Sequence, residues 1–318
     1  VDDPKQPESF CAFRDAGRCD VLPDTVTLPA RTRTGGFPIG VRRGWGAWQR
    51  DLPAFLAWLR AERFAHVDFG NDGDRCIEAA DTAGLAIGTI DLPQWKELLS
   101  PDAGRRREAV DAVCAHVVRC ATGGVRTFMT LMLPEDPACA RKDNYARMIE
   151  SYGPIAQALE SHGARVGIEG WPGPGALCGS PETLRALFAE IPSPAIGINF
   201  DPSHLVRQRI DPVRFLEEFA ERVVHVHAKD AEWRSERVYE FGIEQPSAFS
   251  AASGFGGHLW RYTIPGHGEV QWADLMRRLL SHGWTGRVSI ELEDENFNGS
   301  DDGEQQGFRL ARDFLEGC

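Results

Sequence analysis

Four short stretches of the chain end alternating runs of residues in a carboxylate or an imidazole. They are Gly167-Ile168-Glu169, Gly197-Ile198-Asn199-Phe200-Asp201, Val223-Val224-His225-Val226-His227-Ala228-Lys229-Asp230 and Ser289-Ile290-Glu291-Leu292-Glu293. Successive side chains of an extended chain point to opposite faces. Ile168, Ile198, Phe200, Ile290, Leu292, Val224, Val226 and Ala228 therefore share an apolar face, and glycines, small polar residues, imidazoles and acids take the other. Laid side by side, the four stretches aim Glu169, Asp201, His227 and Glu291 at one point. Three carboxylates and one imidazole form a hard ligand set for a single divalent cation: Mn2+ first, with Mg2+, Co2+ or Zn2+ as alternatives. Two carboxylates about 4 Å apart repel by roughly 4 kcal/mol at an effective dielectric near 20, and three by on the order of 10 kcal/mol. That is comparable with the whole stability of a domain, so something cationic has to sit among them. A salt-bridge net with Arg165 and Lys229 is the rival arrangement, but a divalent ion neutralises three acids more compactly.

Other residues could surround such a site and touch a substrate. His204, three residues after Asp201, falls past the strand at the rim, where it could bind substrate oxygens or simply cap a helix. His225 and Lys229 share the face of His227, with His225 one step deeper as a partner to the ligands or as core. His66 and Asp68 end an earlier strand with the same parity and could line the opposite wall. Trp171 opens the rigid stretch Trp171-Pro172-Gly173-Pro174-Gly175, and Trp233, Trp260 and Tyr262 crowd a later segment. Flat aromatics beside polar groups suit the apolar face of a sugar ring, or they pack the loop down. Arg261 and His267 are further candidates for hydroxyl or phosphate contacts, whereas His116, His162 and His282 fall in helical stretches and are expected to face solvent.

Positioning these side chains requires strands in one sheet. Strand patterns fall at 38–42, 65–69, 85–92, 125–133, 165–170, 195–201, 223–230 and 287–293, and helical periodicity at 48–63, 75–83, 101–121, 144–162, 180–191, 211–222, 270–282 and 304–315. Pro follows a capping residue at Ser100-Pro101, Ser180-Pro181 and Asp211-Pro212. Eight alternations predict an α/β fold with a parallel sheet and right-handed crossovers, closed into a (β/α)8 TIM barrel of one domain. No G-x-G-x-x-G turn follows the first strand, which argues against a dinucleotide fold. Residues 232–265, aromatic and glycine-rich without periodicity, read as an insertion after strand seven that covers the mouth, and residues 1–35 as an N-terminal arm.

Composition narrows the partners. The 318 residues carry a formal net charge of -12, against the basic footprint of nucleic-acid and anionic-membrane binders. No apolar run reaches the ~18 residues of a membrane span, and no signal-peptide pattern opens the sequence as given. Eight scattered cysteines without a C-x-x-C pair read as reduced thiols of a cytoplasmic protein, a Cys11–Cys19 disulfide being the main exception.

Together, Ile168-Glu169, Asn199-Phe200-Asp201-Pro202-Ser203-His204, His225-Val226-His227-Ala228-Lys229-Asp230 and Ser289-Ile290-Glu291-Leu292-Glu293-Asp294 resemble the xylose isomerase-like TIM barrels. More narrowly, they resemble the sugar phosphate isomerase/epimerase superfamily, with its ketose 3-epimerases and inosose dehydratases. The likeness is close in motif over 165–294 and extends in layout over about 37–317. It implies one divalent ion on Glu169, Asp201, His227 and Glu291, with the two glutamates moving protons and His204 touching the substrate. The expected activity is a metal-dependent sugar epimerase or isomerase, with dehydration of a keto-polyol as the alternative. Less favoured are an abasic-site endonuclease, which needs histidines that strand four (Thr130-Leu131-Met132-Leu133) lacks, and a non-catalytic sugar-binding barrel. Self-association as a homodimer or homotetramer stays open.

Overall fold

Period-two alternation decides how the sheet closes. In β6 (Ile196–Phe200) the apolar residues Ile196, Ile198 and Phe200 face the surrounding helices, and the strand is buried on both sides. A strand buried on both faces belongs in a parallel sheet covered by helices. The structure is a computed structural model, and it describes residues 36–318. The strands β1 (Ile39–Arg42), β2 (His66–Phe69), β3 (Ala86–Asp91), β4 (Thr127–Leu131), β5 (Arg165–Glu169), β6, β7 (Val223–Ala228) and β10 (Val288–Ile290) form a closed barrel in that order. β10 pairs with β1, and every pairing in the barrel is parallel. The (β/α)8 barrel expected from the sequence is the fold observed. The expected arm and its cysteines, Cys11 and Cys19, lie outside the described residues. The six described cysteines are free thiols.

Helices fill the crossovers. Among them, α1 (Ala47–Arg50) and α2 (Leu52–Ala61) replace the single helix expected over 48–63. Asp51 interrupts it: its carboxylate accepts from the Ala54 amide at 3.2 Å, and Pro53 follows in the first turn, so the second helix starts afresh. α3 (Ile77–Thr82) comes next, then α4 (Ala103–Thr122). Asp102, rather than the expected Ser100-Pro101, caps α4 through the Arg105 amide at 2.9 Å. α5 (Arg141–Ser161), α6 (Pro181–Glu190), α7 (Pro202–Arg207) and α8 (Pro212–Phe219) follow. Asp211 caps α8 by accepting from Val213 and Arg214. Between barrel and helices the core is apolar, with Phe200 stacked on Phe215 at 6.0 Å and Phe215 tilted against Phe219.

The insertion is more ordered than its composition predicts. β8 (Asp230–Trp233) and β9 (Trp260–Thr263) pair antiparallel, with α9 (Ser235–Phe241) between them. The chain then resumes the barrel through α10 (Trp272–Ser281), β10 and α11 (Asp301–Gly317). His116 corrects the sequence reading: it is buried on the inner face of α4 with Val113, Val117 and Cys120, its Nε2 3.5 Å from the Cys120 thiol. No helix among the described residues is long and apolar enough to cross a membrane.

Candidate metal centre

Each ligand candidate is held at the carboxyl end of a barrel strand. Glu169 is the last residue of β5, Asp201 immediately follows β6, His227 lies near the end of β7 and Glu291 immediately follows β10. One atom from each lies within 4.8 Å of all the others. Asp201 doubles as the cap of α7. Its Oδ1 accepts from the Ser203 amide at 2.9 Å and the Ser203 hydroxyl at 2.6 Å. That leaves Oδ2 buried without a hydrogen-bond partner. The α7 helix then carries His204 one turn on, facing Glu169.

His204 joins the cluster to the insertion. Its Nε2 lies 2.9 Å from Glu169 Oε1, and its Nδ1 lies 2.7 Å from the hydroxyl of Tyr262 on β9. Tyr262 Oη in turn accepts from Arg207 at 2.8 Å, and the guanidinium sits 4.1 Å above the Trp260 ring. The ionised Glu169 carboxylate can only accept, so the proton of that contact sits on His204 Nε2, and Nδ1 faces the Tyr262 hydroxyl. Asn199 donates to the other oxygen of Glu169 at 2.7 Å. Burial opposes ionisation of Glu169, but His227 and His204 outweigh it and hold the carboxylate well below the usual range.

Lys229 supplies the cation expected of a salt-bridge net. Its Nζ lies 2.5 Å from Glu291, 3.0 Å from Glu293 and 3.3 Å from Asp201. Burial works against the carboxylate of Glu291 as well, yet Lys229 pulls it down to about 2. Arg165, the other member of that net, sits at the opposite end of β5 with its Nε on the Pro194 carbonyl. Lys229 therefore faces Glu169, Asp201, Glu291 and Glu293 with help from His204 and His227 on Glu169 and from Arg42, which is shared with Asp91, and the acids outnumber the lysine and arginine beside them.

The donor set fits a divalent cation. His227 Nδ1 lies 2.7 Å from Glu169 Oε2 and 3.7 Å from Glu291 Oε2, and neither contact has the alignment of a hydrogen bond. Buried polar atoms are ordinarily paired, yet His227 Nδ1 and Asp201 Oδ2 both lack hydrogen-bond partners beside the same carboxylates. Oxygen and imidazole donors suit Mn2+, Mg2+, Co2+ or Zn2+.

Above the cluster opens a cavity of about 350 Å3, lined by Arg42, Trp45, Asp91, Trp95, Trp171 and Lys229 together with Glu169 and Glu291. A second cavity of about 340 Å3 adjoins it across Arg42, Trp45, Glu291 and Glu293 and is bounded by Phe255 of the insertion. Trp171 and Lys229 thus line the cavity above the cluster. The other expected contacts do not. His66, Asp68 and His225 are at most 2% exposed and lie deeper in the lumen, away from both cavities. Arg261 is tied to Glu232 at 2.7 Å and Glu295 at 3.0 Å, and His267 is exposed on the turn after β9.

Arg42 and Asp91 are members of the mouth that the sequence reading overlooked. They form a paired ion bridge at 2.7 and 2.5 Å across the mouth, with Arg42 Nε 3.9 Å from Glu291. Each ends a strand, as the four ligand candidates nearly do, and that position was the available signal.

Fold and cluster define a (β/α)8 barrel with a candidate divalent-cation site at the carboxyl ends of its strands, where such barrels carry their active sites. The chain belongs to the xylose isomerase-like TIM barrel family, whose pattern matches residues 48–318. Over 117 residues it is 32% identical to the uncharacterized protein YfiH of Bacillus subtilis, a stretch that covers 36% of each chain. Over 114 residues it is 30% identical to an inosose dehydratase of Clostridium botulinum, again 36% of each. These matches thus span about a third of the curated relatives' length. The D-psicose 3-epimerase of Clostridium cellulolyticum H10 shares the fold with a TM-score of 0.66, covering 87% of this chain and 98% of that one at 14% identity.

Proposed function

We propose that the protein is a divalent-metal-dependent epimerase or isomerase of a neutral keto-sugar, with Glu169 and Glu291 as its acid–base pair. The observation that carries this reading is the cluster itself: four ligand-type side chains converge, and two of their donor atoms are buried without hydrogen-bond partners. Glu169, Asp201, His227 and Glu291 would hold the ion. When bound, a divalent ion supplies positive charge that lowers the cost of charge developing on a carbonyl oxygen. Mn2+ suits the oxygen-rich set best, with Mg2+, Co2+ and Zn2+ as alternatives.

The chain's own residues do the rest. The hydrogen on a carbon beside a carbonyl is a weak acid, and a carboxylate placed beside it takes the proton, typically for a gain of roughly 10² to 10⁴ in rate. Glu169 and Glu291 are three strands apart around the barrel and approach a bound substrate from different sides. One removes a proton and keeps it while the other, protonated from solvent, delivers a different one from the opposite side, which inverts that carbon. A single glutamate serving both transfers would instead move the carbonyl to its neighbour. His204 fixes the orientation of Glu169, and Lys229 holds Glu291 ionised between turnovers. Trp45, Trp95 and Trp171 offer flat apolar faces to a sugar ring. Arg42 is committed to Asp91, and Lys229 to Glu291 and Glu293. Arg43, at the second cavity, is committed to Asp72, so among the described residues each lysine or arginine lining the two cavities already faces an acid, which favours an unphosphorylated substrate.

A second reading is dehydration of a keto-polyol, with one glutamate taking the α-proton and the other protonating a departing β-hydroxyl. The partial similarity to inosose dehydratases favours it. Incubation of the Mn2+-loaded protein with a panel of ketoses and an inosose in D2O, followed by NMR, separates the readings. Solvent deuterium at the carbon next to the carbonyl, with the carbon skeleton and all hydroxyls retained, supports epimerisation or isomerisation. Loss of a hydroxyl supports dehydration, and no exchange with any substrate at any metal loading overturns both.

A further inference from the structure

Beneath the candidate metal centre lies a second group of ionisable side chains that the proposed chemistry does not use. Asp68, His66 and His225 are buried, and their ligand-type atoms also lie within 4.8 Å of one another. Asp68 is gripped from two sides. Its Oδ1 accepts from the Thr89 amide at 2.8 Å, and its Oδ2 lies 2.9 Å from His225 Nε2. Ser289 Oγ closes the group, 3.0 Å from His225 Nε2 and 2.8 Å from His66 Nε2. The barrel wall is cut away to admit the acid: a Cβ at Gly88 would stand 2.0 Å from Asp68 Oδ1. The same Oδ2 lies 3.4 Å from Nε2 of His227, the ring nitrogen turned away from Glu169 and Glu291 and itself buried without a partner.

We infer that Asp68 is the positioning residue of the metal centre, accepting a proton-bearing Nε2 of His227 so that Nδ1 presents its lone pair to the cation. The inference rests on the reading of Glu169, Asp201, His227 and Glu291 as ligands. An imidazole that binds a metal through one nitrogen keeps its proton on the other, and a carboxylate there fixes the ring's tautomer and orientation. Asp68 is placed for this because Thr89 consumes its other oxygen, and His225, itself in contact with Ser289, keeps it from swinging away.

The geometry makes an unusual demand on the isosteric variant. In Asp68→Asn, the Thr89 amide selects the side-chain oxygen for the Oδ1 position, which turns the new NH2 group toward His225 and His227. A donor then faces the Nε2 proton that metal binding requires. Asp68→Ala only removes the acceptor and leaves space for water. Co2+ titration, followed by its visible absorption, reads this without any substrate. Wild type is expected to bind one equivalent, Asp68→Asn to bind at least tenfold more weakly, and Asp68→Ala no more weakly than Asp68→Asn. If Asp68 merely fills space, the order reverses: Asn behaves within about twofold of wild type and Ala is the poor binder, which overturns the inference.

Two further outcomes also count against it. A second equivalent of Co2+ in wild type that disappears in His66→Ala would make Asp68 a ligand of its own ion. A wild type that binds no Co2+ would remove the metal centre and with it the proposed function, a result distinct from equal binding by wild type and Asp68→Asn. Nitrogen-15 histidine NMR of the Zn2+-loaded wild type needs no variant. A proton on His227 Nε2 supports the inference, and a bare Nε2 overturns it.

Discussion

The barrel lumen has two levels, and they are finished differently. The lower one, His66, Asp68, His225 and Ser289, sets one carboxylate among imidazoles and a hydroxyl. Its polar atoms answer one another at 2.8–3.0 Å, with only His66 Nδ1 left over. The upper one gathers Glu169, Asp201, Glu291 and Glu293 around Lys229 and His227, and there Asp201 Oδ2 and both ring nitrogens of His227 lack a hydrogen bond. Half-satisfied buried networks are costly. The lower level closes on itself apart from that one nitrogen, whereas in the upper level three acids share Lys229. That difference separates the proposed reaction centre from its support better than residue type does, because both levels contain histidine and aspartate.

The strongest way to break the comparison is to neutralise one upper carboxylate. Glu291→Gln keeps the volume and removes the base, and turnover or deuterium exchange is expected to fall by roughly 10² to 10⁴, with the circular dichroism spectrum unchanged. Wild-type exchange in that variant would make Glu291 a bystander. Next is Lys229→Met, which takes away the internal cation. Breaking a buried pair costs roughly 3–5 kcal/mol, so the metal-free variant should melt well below wild type. Added MnCl2 should restore more stability than it gives wild type, because the ion then has no competitor among the acids. Equal Mn2+ shifts in both proteins would argue that Lys229 and the ion do not share those carboxylates.

The lower level predicts a pH effect. Burial pushes the His66 imidazole down to about 3 despite the pull of Asp68, so it stays neutral in the folded chain while an unfolded histidine titrates near 6.5. Protons are then bound preferentially by the unfolded state as pH falls below 6.5. The His66 contribution is full above that value and is lost progressively toward 3. Between pH 6.5 and 5 the His66 contribution therefore falls with pH, opposed by Asp230, whose carboxyl is pushed up by burial to about 6 so that the folded chain takes a proton there. His116, also shifted down by burial, adds a smaller part. Urea denaturation across that window should show His66→Asn losing stability relative to its value at pH 7 by less than wild type does; an identical pH dependence would mean that His66 is hydrated. Smallest is Tyr262→Phe, which cuts the link from Arg207 to His204 and should cost about 1 kcal/mol of stability and a several-fold drop in turnover. No loss in turnover would detach the insertion from the site.

Parity along the strands was legible, and it brought Glu169, Asp201, His227 and Glu291 to one face. Depth was not. His225 and His227 share a face of β7 but belong to different levels, and His66 and Asp68 lie in the lower one. The stagger of strands in a closed barrel sets that height, and stagger is a property of the whole sheet rather than of any segment. Arg42 and Asp91 were missed because their bridge joins residues 49 apart on strands that are not neighbours. The β8–β9 hairpin was missed because its strands are separated by a long loop without a tight-turn signature. His116 could have been read correctly, since Val113, His116, Val117 and Cys120 repeat at helical spacing on one buried face.

The central claim is that one divalent ion sits among Glu169, Asp201, His227 and Glu291. Crystals soaked in MnCl2 and measured at a wavelength where manganese scatters anomalously test it directly. The account expects a single peak within bonding distance of those four side chains and none between His66, Asp68 and His225. No peak in the upper level, with Lys229 still bridging Glu291 and Asp201 at saturating Mn2+, would contradict it.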